Sequence, residues 1–183
     1  MDKPSVKSTA REWLAKFCTG TGLDIGCGCQ KVIDSAIGID ILRNDPSCVA
    51  DYFMDAQHLD FPDNSFDYIT SSLTLEHFPD TKAVLKEWHR VLAPNGILSL
   101  CVPDAHLNPA SINDEFHYVG FTDTTLLAFL DFAGFHPISF LHMDSEDFPC
   151  LLIAAKKVHE FAHAMIPDSK RELTWEMMRS IAG

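Results

Sequence analysis

The sequence lacks long apolar runs, is poor in basic residues and has no paired metal-ligand motif, and each lack excludes a class of function. No apolar segment approaches the roughly 20 residues that a membrane-spanning helix needs, so no membrane partner is expected. Only 14 residues are basic against 26 acidic ones, which gives a formal net charge of −12. Because no basic stripe offsets this charge, the surface repels a phosphate backbone, and a small molecule is a better partner than nucleic acid.

The cysteines form neither a metal-binding nor a disulfide pattern. Cys27 and Cys29 lie close in sequence, but no second Cys/His pair at ligand spacing accompanies them. No metal site is therefore expected. The first residues, 1–11, are polar and lack the apolar stretch of a secretory signal. This predicts a cytoplasmic location, where disulfides are rare.

What the sequence does contain is an alternation of short apolar runs with helical patterns, which is typical of a parallel sheet with crossover helices. The length of 183 residues favours one domain, 1–183, with an N-terminal segment at 1–20 and a C-terminal helical extension at 157–183. Successive strands are predicted at Gly22–Ile25, Ile37–Ile41, Val49–Met54, Tyr68–Ser71 and Gly96–Val102. Helices are predicted at Asp80–Leu92, with Pro94-Asn95-Gly96 as its stop signal, at about Thr122–Ala133, and near Glu172–Ile181.

Two further strands are predicted near the end of this pattern, at Phe135–Met143 and Cys150–Lys156. The acidic turn Asp144–Asp147 joins them. Because so short a connection cannot cross over the sheet, the two strands must pair antiparallel. Neither an internal repeat nor a low-complexity linker interrupts the chain.

A glycine-containing loop ends the first predicted strand, in the segment Leu23-Asp24-Ile25-Gly26-Cys27-Gly28. Its two glycines let the backbone turn sharply and approach a ligand that any Cβ would block. A dinucleotide fold needs a third glycine and a helix that receives pyrophosphate. Here Lys31 takes that third position, and the 16 residues from Asp24 to Asp40 leave no room for a full helix. The loop therefore favours a ligand without phosphates.

Three acids, Asp24, Asp40 and Asp55, are predicted at the ends of successive strands. Such residues share the carboxyl edge of a parallel sheet, where ligands bind. Asp40 there can accept both hydroxyls of a ribose, and Asp55 can accept an adenine amine; each could instead cap a turn or helix. Three acids around one site suit a cationic ligand better than a polyanionic one.

Several motifs occur together in one order along the chain. They are the glycine segment above, Gly38-Ile39-Asp40, Asp55-Ala56, Phe61-Pro62-Asp63-Asn64-Ser65-Phe66-Asp67, Leu75-Glu76-His77 and Val91-Leu92-Ala93-Pro94-Asn95-Gly96. In this the sequence resembles the class I S-adenosylmethionine-dependent methyltransferases, especially their small bacterial type. The resemblance implies an α/β fold with a doubly wound, mostly parallel, Rossmann-like sheet of seven strands. The C-terminal hairpin would insert one antiparallel strand, and S-adenosylmethionine would be the cofactor.

The resemblance also implies roles for individual residues. Asp24, Gly26 and Gly28 would surround the methionine portion of the cofactor, and Asp40 would hold its ribose. The remaining contacts would come from Ile41 against the adenine, Asp55 and Ala56 at the adenine edge, and Ser71 with Ser72 at the sulfonium end. The sequence departs from the family pattern at Cys29-Gln30, in the shortened helix after the loop, and at Leu73, where many members carry His, Asn or an aromatic residue.

Methyl transfer mainly requires alignment of donor and acceptor, and a general base helps when the acceptor is a hydroxyl. The main candidate bases are His77, Asp104 and His117, which follow the fourth and fifth strands, where the acceptor should lie; Glu76, His106 and Tyr118 in the same segments are further candidates. His77 could instead hold its turn together, and Asp104 could cap a helix. The expected acceptor is a small or sugar-linked molecule, and the expected protein is a monomer or homodimer.

Three other interpretations stay open on these residues. A noncatalytic protein could keep the cofactor fold as a binding or partner module, since Leu73 departs from the pattern and no base is obvious. A nicotinamide-dependent oxidoreductase is disfavoured by Lys31 and the short loop. A basic peptide could also be the acceptor, because the acidic surface would attract it.

Overall fold

A seven-stranded sheet forms the centre of the computed structural model, which describes residues 6–109, 115–144 and 148–158. The strands are β1 Gly22–Ile25, β2 Ile37–Asp40, β3 Tyr52–Phe53, β4 Phe66–Ser72, β5 Leu92–Pro103, β6 Phe135–Met143 and β7 Cys150–Lys157. Their order is β3-β2-β1-β4-β5-β7-β6. The first five strands pair parallel, whereas β7 runs antiparallel to both β5 and β6. The predicted α/β sheet with one antiparallel strand from the hairpin is confirmed.

Within the described ranges three α-helices accompany the sheet: α1 Val6–Ala15, α2 Thr81–Val91 and α3 Asp123–Phe132. The carboxylate of Asp80 accepts a hydrogen bond from the backbone N–H of Ala83 at 3.0 Å and so caps α2. The side chains of Thr122 and Thr125 form a capping box at the start of α3. Gly134 follows that helix with a φ of 85°, a backbone conformation that favours glycine. The two predicted helices therefore begin and end within one residue of the expected positions.

The main core lies between the sheet and helices α2 and α3. Trp88 of α2 is fully buried, and its ring N–H donates to the carbonyl of Ala56 at 3.0 Å. A smaller apolar cluster on β5 and β7 contains Cys101, Cys150 and Leu152, and Ala10 and Leu14 of α1 cover it. No helix among the described residues is both long and apolar enough to span a bilayer.

The structure corrects three expectations from the sequence. The N-terminal segment contains helix α1, where no helix is predicted. The third strand is reduced from Val49–Met54 to Tyr52–Phe53, because the N–H of Val49 donates instead to the carbonyl of Gly28, at 2.8 Å. The segment Pro94–Gly96 does not stop α2, which already ends at Val91.

That segment lies inside β5, where the register against β4 shifts from Phe66 opposite Leu92 to Tyr68 opposite Ile97. The extra residues form a bulge in the strand. The predicted helix Glu172–Ile181 and the extension 157–183 lie outside the described residues, except for residues 157 and 158.

Candidate functional site

The glycine loop after β1 adopts the tight turn that its sequence predicts. Gly26 and Gly28 have φ values of 73° and 51°, in the left-handed region that favours glycine. A Cβ atom added to Gly26 would lie 2.0 Å from the Oγ1 atom of Thr74, so this glycine also makes room for Thr74. A Cβ added to Gly28 would meet no atom within 4 Å. The loop therefore presents bare backbone to open space at Gly28.

Asp40, at the end of β2, is held by the loops on either side of it. Its Oδ2 atom accepts from the N–H of Gly28 at 2.8 Å. Its Oδ1 atom accepts from the N–H groups of Ile41 and Leu42 at 2.7 and 3.0 Å. Ile41 directly after it is 72% exposed, which leaves a large apolar side chain free at the strand end. An acid fixed by backbone amides beside an exposed apolar residue fits a ribose next to a flat base.

Asp24 is the most deeply buried acid of the loop, at 1% exposure. Its Oδ2 atom accepts a hydrogen bond from the N–H of Val32. Burial disfavours the carboxylate and raises the pKa of Asp24 to about 6, although the Val32 hydrogen bond and the positive charge of Arg11 oppose that rise. The attraction of a cation to this position would therefore depend on pH near neutrality.

Lys31 anchors the short connection that replaces the family's usual helix. Its Nζ donates to the carbonyl of Ala36 at 2.9 Å and to the carboxylate of Asp51. Asp51 in turn accepts from the N–H of Gly38 at 2.7 Å, and its lysine partner lowers the pKa of its carboxyl group. The lysine at the third glycine position thus ties the loop to β2 and to the segment before β3.

The other residues assigned to the cofactor lie along the same carboxyl edge. Ser71 is buried, and its hydroxyl donates to the carbonyl of Ile25 at 2.8 Å, so it ties β4 to the start of the glycine loop. Ser72 is half-buried beside it. Asp55 is exposed and accepts from the N–H of Gln57 at 2.9 Å within its own turn, while Ala56 is buried. Direct hydrogen bonds thus link the glycine segment to Asp40 and to Ser71, whereas the carboxylate of Asp55 accepts its hydrogen bond from within its own turn.

Two of the three candidate bases come together with a buried acid. A short 3₁₀ turn, Leu75–His77, follows β4. The rings of His77 and His117 lie 4.9 Å apart between centroids, in an edge-on arrangement. Glu76 is 1% exposed, and burial raises the pKa of its carboxyl group to about 8. One donor atom from each of these three residues lies within 4.8 Å of the other two.

Asp104, the third candidate base, makes a different set of contacts. It is buried, its Oδ1 atom accepts from the N–H of His106 at 2.8 Å, and its Oδ2 atom lies 3.4 Å from Nδ1 of His142. Asp104 thus caps a turn, which is the alternative role that its sequence position allows, although a turn and not a helix follows. The partner His142 has no signal in the sequence, because it reaches Asp104 only through the pairing of β6 with β7.

Reasoning from the sequence misses Thr74, Asp51 and the grouping of Glu76 with the two histidines. Gly26 and Thr74 follow different strands, β1 and β4, and no spacing rule predicts their contact. His117 lies 40 residues after His77 in the sequence. The segment that carries it is positioned by backbone hydrogen bonds, which leave no compositional trace.

Comparison with known proteins shows what this arrangement is similar to. The family model described as "Methyltransferase domain" matches residues 9–100. A demethylmenaquinone methyltransferase from Geobacillus stearothermophilus is 33% identical over 94 residues, which are 51% of this chain and 40% of that protein. The same-named protein of Listeria monocytogenes serovar 1/2a is 46% identical over 68 residues, 35% of this chain and 28% of that protein. The chain thus aligns with well under half of the length of these relatives.

Solved structures share the fold over most of the described chain. An S-adenosylmethionine-dependent methyltransferase from Methanosarcina mazei superposes with a TM-score of 0.65 at 22% identity, covering 81% of this chain and 98% of that one. The 1,6-didemethyltoxoflavin-N1-methyltransferase of Burkholderia thailandensis, solved with S-adenosylhomocysteine, has a TM-score of 0.66 at 18% identity, with coverages of 82% and 77%.

Proposed function

The chain belongs to the methyltransferase-domain family of class I S-adenosylmethionine-dependent enzymes, and from this premise we propose that it transfers a methyl group from that cofactor to a small-molecule acceptor. The observation that carries the proposal is the glycine loop of β1 with Asp40 beside it. The loop offers bare backbone to open space at Gly28, and the acid beside it is held by three backbone amides.

The residues at this edge of the sheet fit the cofactor in both shape and charge. Open space at Gly28 leaves room for the methionine portion. Asp24 would face the cationic end of S-adenosylmethionine, and Asp40 would face its ribose hydroxyls. The exposed side chain of Ile41 would lie against one face of the adenine. Asp55 and Ala56 would border the adenine edge, and Ser72, with the backbone of Ser71, would border the sulfonium. The hydroxyl of Ser71 already donates to Ile25, so its contribution to the cofactor is positional.

The reaction asks little more of the protein than alignment. The bound cofactor supplies an electrophilic methyl group on a good leaving group. The chain must therefore hold the acceptor atom in line with that methyl group and prevent other orientations of the acceptor. The acids of the loop favour a cation over a phosphate ligand, since like charges repel. His77, His117 and Asp104 are the residues proposed to meet the acceptor or to position groups that do.

A small molecule is the proposed acceptor because the surface disfavours nucleic acid. The net charge of −12 repels polyanions. Near His117, the side chains of Phe116 and Tyr118 are 65% and 66% exposed, which gives an apolar acceptor a surface to lie against. Two relatives named above have demethylmenaquinone in their names and one structural neighbour has 1,6-didemethyltoxoflavin; neither acceptor is a macromolecule, which supports the same class here. Sugar-linked acceptors remain within the proposal.

Calorimetric titration of the full chain with S-adenosylmethionine and, separately, with NADH tests the proposal. We expect micromolar affinity for the sulfonium cofactor and none for NADH. Asp40→Asn removes the charge and leaves one acceptor oxygen where two accept backbone N–H groups, so it should weaken binding at least tenfold. Asp60→Ala, an exposed acid elsewhere, is the matched control. Equal affinity of the Asp40 variant and the control would show that the cofactor lies elsewhere.

A further inference from the structure

We propose that Glu76, His77 and His117 form a binding site for a divalent transition-metal ion of the zinc class. One carboxylate oxygen of Glu76 and one ring nitrogen of each histidine lie within 4.8 Å of one another. Ligand atoms in a tetrahedral zinc site are about 3.3 Å apart, so small side-chain rotations suffice to close the cluster around an ion. His77 is exposed and His117 is half-buried, so both rings have room for that movement.

The need for a cation is clearest at Glu76. The residue is 1% exposed. Its Oε2 atom has no hydrogen-bond partner among the residues that the structure describes. A buried carboxyl oxygen is normally hydrogen-bonded, paired with a cation or bound to a metal, because an unpartnered polar atom in the interior is unfavourable. Within the described ranges no lysine or arginine lies within ion-pair distance of it. An ion held between Glu76 and the two imidazoles would provide the opposite charge.

His77 is oriented as metal-binding histidines usually are. Its Nδ1 atom lies 2.9 Å from the backbone carbonyl of Phe116. Since a carbonyl can only accept, Nδ1 carries the proton and donates, which leaves the lone pair on Nε2. A hydrogen bond from one ring nitrogen to a carbonyl is the common way in which proteins fix the tautomer and direction of a histidine ligand.

The backbone holds the two halves of the cluster together without any ion. The N–H groups of Tyr118 and Val119 both donate to the carbonyl of Glu76, at 2.9 and 3.3 Å. Farther along, the N–H of Ala105 donates to the carbonyl of Phe121 at 2.8 Å. The segment that carries His117 is thus fixed against the 3₁₀ turn at one end and against the end of β5 at the other. Preorganised ligands of this kind reduce the cost of binding a metal.

The ion would have a free coordination position beside the cofactor edge of the sheet. Three protein ligands leave one position of a four-coordinate ion open, as in catalytic zinc sites. Resting on the proposed function, this position would bind the hydroxyl oxygen of the acceptor. A metal-bound hydroxyl loses its proton to solvent more readily. The oxygen lone pair then forms the bond to the methyl carbon while the carbon–sulfur bond breaks. The acceptor class would therefore be a hydroxyl-bearing small molecule.

A second group of possible ligands must be separated from this one by experiment. Cys27, Asp40 and Cys48 also bring donor atoms within 4.8 Å of one another. In that group, however, both oxygens of Asp40 already accept backbone hydrogen bonds. Burial also raises the pKa of the Cys27 thiol to about 12, which opposes the thiolate that a metal needs. In the Glu76 cluster, by contrast, the Oε2 atom of Glu76 accepts no hydrogen bond within the described residues, although burial raises the pKa of this carboxyl group as well, to about 8.

Cobalt(II) titration of the chelator-treated full chain, followed by visible absorption, tests the site. We expect one equivalent to bind with the bands of a four-coordinate nitrogen and oxygen site. Glu76→Gln and His117→Ala should each weaken binding at least tenfold, whereas His58→Ala and Cys48→Ser should leave it unchanged. Glu76→Gln keeps the size of the side chain, and its melting temperature, measured beside that of the parent, separates a loss of binding from a loss of folding.

Three outcomes would overturn the proposal: no cobalt binding, binding that Glu76→Gln and His117→Ala leave intact, or sulfur-to-cobalt absorption that disappears in Cys48→Ser. Calorimetry with S-adenosylmethionine on the same samples separates this proposal from the previous one. Cofactor binding without cobalt binding removes only the metal site. Cobalt binding without cofactor binding removes only the methyl-transfer proposal.

Discussion

Among single residues, Asp24 combines deep burial with a place in the glycine loop, and burial holds the pKa of its carboxyl group at about 6 instead of 3.8. In the cofactor-free protein the folded state therefore binds this proton more tightly than the unfolded chain does. Its contribution to stability is largest below pH 4 and is lost as the pH rises to about 6. The protein keeps a charge there at neutral pH at a cost to folding, which is typical of a residue that serves a ligand.

The pH dependence of cofactor binding follows from the same group. If the carboxylate of Asp24 faces the cationic end of S-adenosylmethionine, protonation below pH 6 removes that attraction. We expect the dissociation constant to be roughly tenfold higher at pH 5 than at pH 7.5, since each pH unit below the pKa costs a factor of about ten. Calorimetry at the two pH values measures this. Asp24→Asn should bind weakly at both, and a flat profile in the parent protein would contradict the role given to Asp24.

Gly26 and Gly28 of the glycine loop look alike in sequence, but the structure requires a glycine at each position for a different reason. Gly28→Ala adds a Cβ in open space, so its cost to folding is limited to the left-handed backbone, about 1–2 kcal/mol. Gly26→Ala adds the same strain and also a collision with Thr74 at 2.0 Å. We therefore expect Gly28→Ala to melt only slightly below the parent but to lose cofactor affinity, and Gly26→Ala to melt much lower.

Thermal unfolding and calorimetry on the two variants decide the matter. The double variant Gly26→Ala with Thr74→Ala removes the collision and should recover part of the lost melting temperature. If Gly28→Ala bound the cofactor as tightly as the parent, the open space beside Gly28 would not be the site of the methionine portion.

Helix α3 depends on its N-terminal cap, because its apolar face is short. Only Leu126 and Leu130 of this helix are buried. Thr122→Ala removes the side chain that accepts from the N–H of Thr125 at 3.2 Å, and it should lower the free energy of unfolding by about 1 kcal/mol. Thr124→Ala, in the exposed first turn, is the control and should have little effect. Urea denaturation of both variants measures the difference, and equal midpoints would show that the cap contributes nothing.

For the molecule as a whole, periodicity and turn chemistry predict the individual strands and the hairpin, whereas the seven-stranded sheet is what the resemblance to class I methyltransferases implies. The β-hairpin Phe135–Met143 with Cys150–Lys157 was expected almost to the residue, because a tight connection permits only antiparallel pairing. Helix α1 is not among the predicted elements, although Ala10, Trp13 and Leu14 recur at helical spacing; its main contacts, between Ala10, Leu14 and the cysteines of β5 and β7, are made across the fold. The third strand was overestimated because Val49 binds the glycine loop, a tertiary contact that overrides local propensity.

The candidate site, like the fold, has features that the sequence predicts and features that depend on tertiary contacts. The acids at the strand ends could be placed from sequence, since parallel strands align their carboxyl ends. The buried environment of Glu76 and its approach to His117 could not, because they depend on how the segment after residue 115 returns to the 3₁₀ turn. Lys31 at the third glycine position disfavours a pyrophosphate cradle, a prediction that needs only the sequence, whereas its bond to Asp51 has no local signal.

The packing of Thr74 against Gly26 also has a consequence for how the protein is made. Thr74 leaves the ribosome 48 residues after Gly26, so the loop is synthesised several seconds before the side chain that packs against it, at roughly 5–20 residues per second. The loop backbone cannot be held in its final shape until β4 has paired with β1. The proposed cofactor site is therefore completed only after β4 has been synthesised.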